Sequence, residues 1–116
     1  MKKKNVISSN YLEKIPSLPA DIGWKLDGDN KVELEIENKG WANRIAQKLF
    51  KRPKFSYIHL DEFGSFVWQQ IDGESDLTAI GEKVKEHFEE KAEPLYPRLA
   101  KFFQILDSYG FVAWKK

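Results

Sequence analysis

A chain of 116 residues, 41% hydrophobic and 14% aromatic, is long enough to bury one core and too short for two. Nineteen basic residues against eighteen acidic ones leave a formal charge of +1, which disfavours a binder of nucleic-acid backbone. Cysteine is absent, so disulfides and thiolate metal sites are excluded, and no apolar run approaches the ~18 residues of a membrane span.

Residues 1–21 are polar and interrupted by Pro16 and Pro19, which predicts a flexible N-terminal arm ahead of a single domain over 22–116. Tyr11, Leu12, Ile15 and Leu18 are the arm residues able to pack onto that domain. No hydrophobic signal core follows Lys2, Lys3 and Lys4, so a soluble cytoplasmic protein is expected. A hairpin comes next: residues 24–26, a turn at Asp27-Gly28-Asp29-Asn30, then strict alternation over 32–37. Val32, Leu34 and Ile36 are predicted to face the core. Glu33, Glu35 and Glu37 form an acidic comb on the opposite face, either a solvated sheet surface or a selector for a basic partner.

Trp41, Ile45 and Leu49, with Ala42 and Ala46, recur at helical spacing and predict a short amphipathic helix that stops before Pro53. Lys48, Lys51, Arg52 and Lys54 form a basic patch just after it. Residues 55–60 have the aromatic and β-branched bias of a third strand, and Asp61 is a good N-cap for the helix that follows. Phe63, Val67 and Ile71 make that helix's inner stripe. Asp76 is the next N-cap, with Leu77, Ile80, Val84 and Phe88 along a second helix. The third helix starts near Pro94 or Leu95 and ends at Gly110, which suits a left-handed C-cap.

The third helix carries two apolar stripes. Leu95, Leu99, Phe103 and Leu106 make one; Phe102, Ile105 and Tyr109, with Arg98 beside them, make another roughly 90° away. One stripe suffices for a core, so the second either is absorbed as a wide core face in three-helix packing or faces the sheet, a partner, or both. In a three-stranded meander the third strand lies at an edge, with unpaired N–H and C=O groups able to template an extended peptide. The candidate site is therefore main-chain pairing at Ser56, Tyr57 and Ile58, an apolar wall of Phe102, Ile105 and Tyr109, and Arg98 to meet an acidic side chain.

The order of these features resembles the family of pyrroloquinoline quinone synthesis protein D, PqqD. In that family a strand runs into a Leu-Asp-Glu helix start, here Leu60-Asp61-Glu62; the helix ends at an Asp-Gly turn, here Asp72-Gly73; and the last helix closes on a Gly-aliphatic step, here Gly110-Phe111-Val112. The resemblance covers residues 22–112, and the segment 41–50 looks like an insertion relative to the shortest members. It implies a noncatalytic domain that binds the leader of a ribosomally made precursor peptide between the third strand and third helix. The leader is then presented to a modifying enzyme, commonly a radical S-adenosylmethionine protein. The fold class expected is α+β, winged helix-turn-helix-like: a three-stranded antiparallel sheet followed by three helices, with an extra short helix between strands two and three.

No catalytic or cofactor signature competes with this reading. His59 and His87 lack metal-ligand spacing, Ser65 sits inside a predicted helix, and the glycines are scattered rather than gathered in a phosphate-binding loop. The helix order also suits a winged-helix DNA-binding regulator, but Pro94-Leu95-Tyr96-Pro97-Arg98-Leu99 offers one basic residue where a recognition helix needs several. Lysines of the second helix are interleaved with Glu82, Glu86, Glu89 and Glu90, which cancels much of a phosphate-facing field. A small dimerising domain, using the Trp41 helix or an exposed strand edge, is the third possibility.

Overall fold

Alternation of Val32, Leu34 and Ile36 with glutamates makes a strand whose one face must leave water, and the hairpin turn decides its first partner. In the computed structural model, which describes residues 9–37 and 55–115, that strand is the middle one of three. β2 (Ile22–Leu26), β3 (Val32–Glu37) and β4 (Phe55–His59) form an antiparallel sheet in the order β2-β3-β4. Trp24 pairs with Leu34 and Leu34 with Ile58; Gly23 pairs with Glu35 and Glu35 with Tyr57. Asp27 shapes the β2–β3 turn, its carboxylate accepting from the backbone N–H of Lys31 at 3.0 Å and of Asp29 at 2.8 Å. Val32 and Leu34 are fully buried, while the outer face shows the glutamates.

Three helices cover the inner face: α2 (Glu62–Gln69), α3 (Leu77–Phe88) and α4 (Leu95–Ser108), with a 3-10 turn at Glu89–Ala92 between the last two. The two predicted caps are present. Asp61 Oδ1 accepts from Gly64 N at 2.7 Å, and Asp76 Oδ1 from Ala79 N at 2.8 Å. Gly110 takes the left-handed conformation (φ +77°) that lets Phe111 N–H reach back to Leu106 O at 2.8 Å and close α4. The core joins Val67 and Trp68 of α2, Leu77, Ile80 and Val84 of α3, and the stripe Leu95, Leu99, Phe103 and Leu106 of α4 to the β3 side chains. Gly81 of α3 allows the close approach of Tyr96: a Cβ there would lie 2.7 Å from the Tyr96 ring.

The sheet is locked to α2 by one side chain. Leu60 N–H donates to Val32 O at 2.9 Å, and an unbroken ladder would return a bond from Val32 N–H to Leu60 O. Instead the buried Ser65 hydroxyl sits between them, accepting from Val32 N–H at 2.8 Å and donating to Leu60 O at 3.1 Å. The rung passes through the helix, which fixes how α2 leaves β4.

The chain is α+β with antiparallel strands and several helices, as the patterns predict, and two differences stand out. The stretch read as an arm holds structure over its described residues: α1 (Ser9–Leu12) and β1 (Ile15–Ser17). β1 pairs antiparallel with β5 (Ala113–Lys115), a strand beyond the expected last helix, in a second, two-stranded sheet. Three residues per strand give no readable alternation, so the pairing is a tertiary event. Around it Tyr11, Leu12, Leu18 and Trp114 pack on the core, and Trp114 lies 5.9 Å from the Phe103 ring. The expected helix at 41–50, with Trp41, Ile45 and Leu49, and the basic patch Lys48, Lys51, Arg52 and Lys54 lie outside the described residues.

Candidate peptide-binding site

An edge strand offers a partner only those main-chain groups that its neighbour leaves unused, and the register identifies them. The Leu60–Val32 bond, in line with Ile58 opposite Leu34 and Ser56 opposite Ile36, shows that even-numbered residues of β3 and β4 bond each other. Ser56 and Ile58 therefore spend their N–H and C=O groups inside the sheet. Phe55, Tyr57 and His59 direct theirs outward. Of the three strand positions expected to pair with a peptide, Tyr57 alone has outward main-chain groups; Ser56 and Ile58 contribute side chains on the inner, helix-facing side. Phe55 and His59 were missed because the outward set depends on which residues pair, and a single strand's sequence does not contain that parity.

On the outer face the Tyr57 ring is 54% exposed and lies opposite Glu35, and His59 Nε2 is 4.0 Å from Glu33 Oε1. β4 pairs with β3 on one side, and among the described residues no strand pairs with its other edge.

The other wall comes from α4. Its first stripe is buried, and its second is not: Phe102 is half-buried, Ile105 is 45% exposed and Tyr109 is 68% exposed, stacked on Phe111 at 5.4 Å. Phe102 is seated on the start of α2, edge-on to Phe63 at 6.5 Å. Gly64 is what lets it sit there, since a Cβ at that position would be 2.9 Å from Phe102 Cε1. The Arg98 guanidinium lies 4.1 Å from the Phe63 ring centroid and donates to Lys91 O at 2.8 Å. Arg98 is thus held in place at one end of the site. There a groove of about 620 Å³, lined by Lys31, Asp61, Glu62, Phe63 and Lys91 among others, continues from it. Arg98 and Phe102 come together on α2, while Ile105 and Tyr109 extend the same exposed face along α4. Phe63 and Gly64, which support this wall, were read only as helix residues.

Among the described residues no cluster of three or more acidic or histidine side chains is placed to hold a metal, and no helix is long and apolar enough to cross a membrane. Ser65 is committed to the sheet rung and His87 to a stack on Phe66 at 4.2 Å.

A family model described as Coenzyme PQQ synthesis protein D (PqqD) matches residues 52–112. The chain belongs to the PqqD family. The matched span contains β4 and the three helices α2, α3 and α4, hence both walls of the site, whereas the β2–β3 hairpin lies outside it. Membership brings a peptide-binding role related to coenzyme PQQ biosynthesis. No curated protein and no solved structure matches this PqqD-family chain significantly.

Proposed function

We propose that this PqqD-family protein is a noncatalytic adaptor that binds the leader of a ribosomally synthesised precursor peptide as an added strand on β4. It presents the attached precursor to a modifying enzyme of the radical S-adenosylmethionine type, and it does so in the cytoplasm. Two features support this reading: a β4 edge that no described strand pairs, with the main-chain groups of Phe55, Tyr57 and His59 outward, and an α4 face that stays apolar and exposed at Ile105 and Tyr109. Main-chain bonds give affinity without a fixed sequence, and alternate peptide side chains entering towards α4 give selectivity. The sheet-first, helices-after order serves this in a winged-helix-like arrangement in which β4 and α4 are the two lips.

Heteronuclear NMR titration with a leader peptide encoded beside the gene tests it. Shifts should gather in residues 55–60 and 98–109, and Tyr109→Asp should abolish them while leaving the remaining spectrum in place, because that ring is mostly exposed. Binding undiminished in Tyr109→Asp and Ile105→Asp together would refute the α4 wall. Shifts with a short DNA duplex and none with peptide would refute the adaptor reading altogether.

A further inference from the structure

We propose that β2, the opposite edge of the sheet, pairs with β2 of a second copy, antiparallel and centred on Trp24. The same parity argument supplies the geometry. Odd residues of β3 bond to β2, and Asp27 N–H donating to Lys31 O at 2.8 Å continues that row, so Gly23 and Lys25 bond inward. Ile22, Trp24 and Leu26 direct their main-chain groups to the edge that no strand pairs among the described residues, with the Ile22 N–H already taken by Pro19 O at 3.3 Å. These three also carry the side chains on the core-facing side, in register with Val32, Leu34 and Ile36. Trp24 and Leu26 nevertheless remain 39% and 45% exposed, so the apolar face runs past the helices that cover it.

A two-fold axis at Trp24 uses what the edge offers. Trp24 meets Trp24 of the second copy with a reciprocal pair of main-chain bonds, and Leu26 N–H reaches the Ile22 carbonyl of the other chain, in both directions. The two indoles cover each other, and each Leu26 covers an Ile22. On the outer face Lys25 of one copy falls opposite Gly23 of the other. Because Gly23 has no side chain, the lysine can lie over it towards Glu35, which pairs with Gly23 from the far side and is exposed. Charge disfavours one neighbouring register, since a shift that sets Trp24 against Leu26 would set Lys25 against Lys25; the opposite shift, Trp24 against Ile22, keeps fewer main-chain bonds because the Ile22 N–H is taken by Pro19 O. A five-residue strand buries less than a standard interface, so the dimer belongs to the weak, concentration-dependent class. It makes a six-stranded sheet with both β4 edges at its outer ends, and it is independent of the peptide-binding reading.

Sedimentation velocity of the full chain from low micromolar to millimolar concentration, with hydrogen exchange at the Trp24 and Leu26 amides, tests the proposal. The expected result is a mass rising from 13.6 kDa towards twice that value, with both amides gaining protection in step. Trp24→Glu should weaken the dimer roughly tenfold or more, and so should Lys25→Glu, with Lys25→Glu/Glu35→Lys restoring it. The charge pair is on the solvent face, so the exchange variants read the interface even where Trp24→Glu disturbs folding. A mass constant over the whole range overturns the proposal, as does a dimer indifferent to both charge variants. Amides protected at every dilution in a monomer also overturn it, and would mean that another segment of the same chain covers the edge.

Discussion

Replacing Ser65 by Ala tests whether a helix side chain completes the sheet. The hydroxyl is 3% exposed and makes two bonds, at 2.8 Å from Val32 N–H and 3.1 Å to Leu60 O. Alanine removes both partners' bond and leaves a buried N–H with nothing to donate to, a loss of about 1–3 kcal/mol, while the carbonyl forfeits a further ~0.5–1 kcal/mol. Helix propensity returns up to about 0.5 kcal/mol. The net destabilisation is therefore about 2 kcal/mol, a substantial share of the ~5–15 kcal/mol available to a domain. Urea denaturation followed by tryptophan fluorescence reads it: with a slope of about 1.5 kcal/mol per molar, the midpoint should fall by roughly 1.3 M at unchanged slope. Ser75→Ala is the control, since that hydroxyl is bonded to Asp72 at the surface and its loss should cost under ~0.5 kcal/mol. A Ser65→Ala midpoint within error of the control would refute the reasoning.

Three other outcomes follow from the same geometry. Gly64→Ala should weaken leader binding more than it weakens the fold, because its Cβ would lie 2.9 Å from the Phe102 ring and displace a half-buried side chain of the wall; calorimetric titration beside a melting curve separates the two effects. Phe103→Ala, at a fully buried ring between α4 and Trp114, should cost about 3–5 kcal/mol by denaturation and release the β1–β5 pairing along with it. Acid stability should follow Asp27 and Asp72. Backbone N–H bonds from Lys31 and Asp29, and from Glu74 and Ser75, hold their carboxyls below the ordinary 3.8. Groups lowered in the folded state contribute stability above 3.8 and lose it as pH falls through their folded values, so the melting temperature should fall below about pH 3.8, and less steeply in Asp27→Asn/Asp72→Asn.

Local physics wrote much of this molecule into its sequence. The β2–β3 hairpin, the Asp61 and Asp76 caps, the buried stripe of α4 and the Gly110 stop each depend on residues a few positions apart, so periodicity and cap chemistry suffice to find them. The exposed second stripe of α4 was legible for the same reason, and the order of these elements already resembled the PqqD family. Tertiary structure alone decided the rest. Which main-chain groups of β4 and β2 point outward is a matter of pairing parity; which serine hydroxyl enters the sheet depends on how α2 turns back on β3. That β1 finds β5 depends on joining segments nearly a chain length apart. Such choices rest on contacts between residues distant in sequence, whose geometry no local pattern encodes. They set the edges of the sheet, and with them the surfaces this protein can offer.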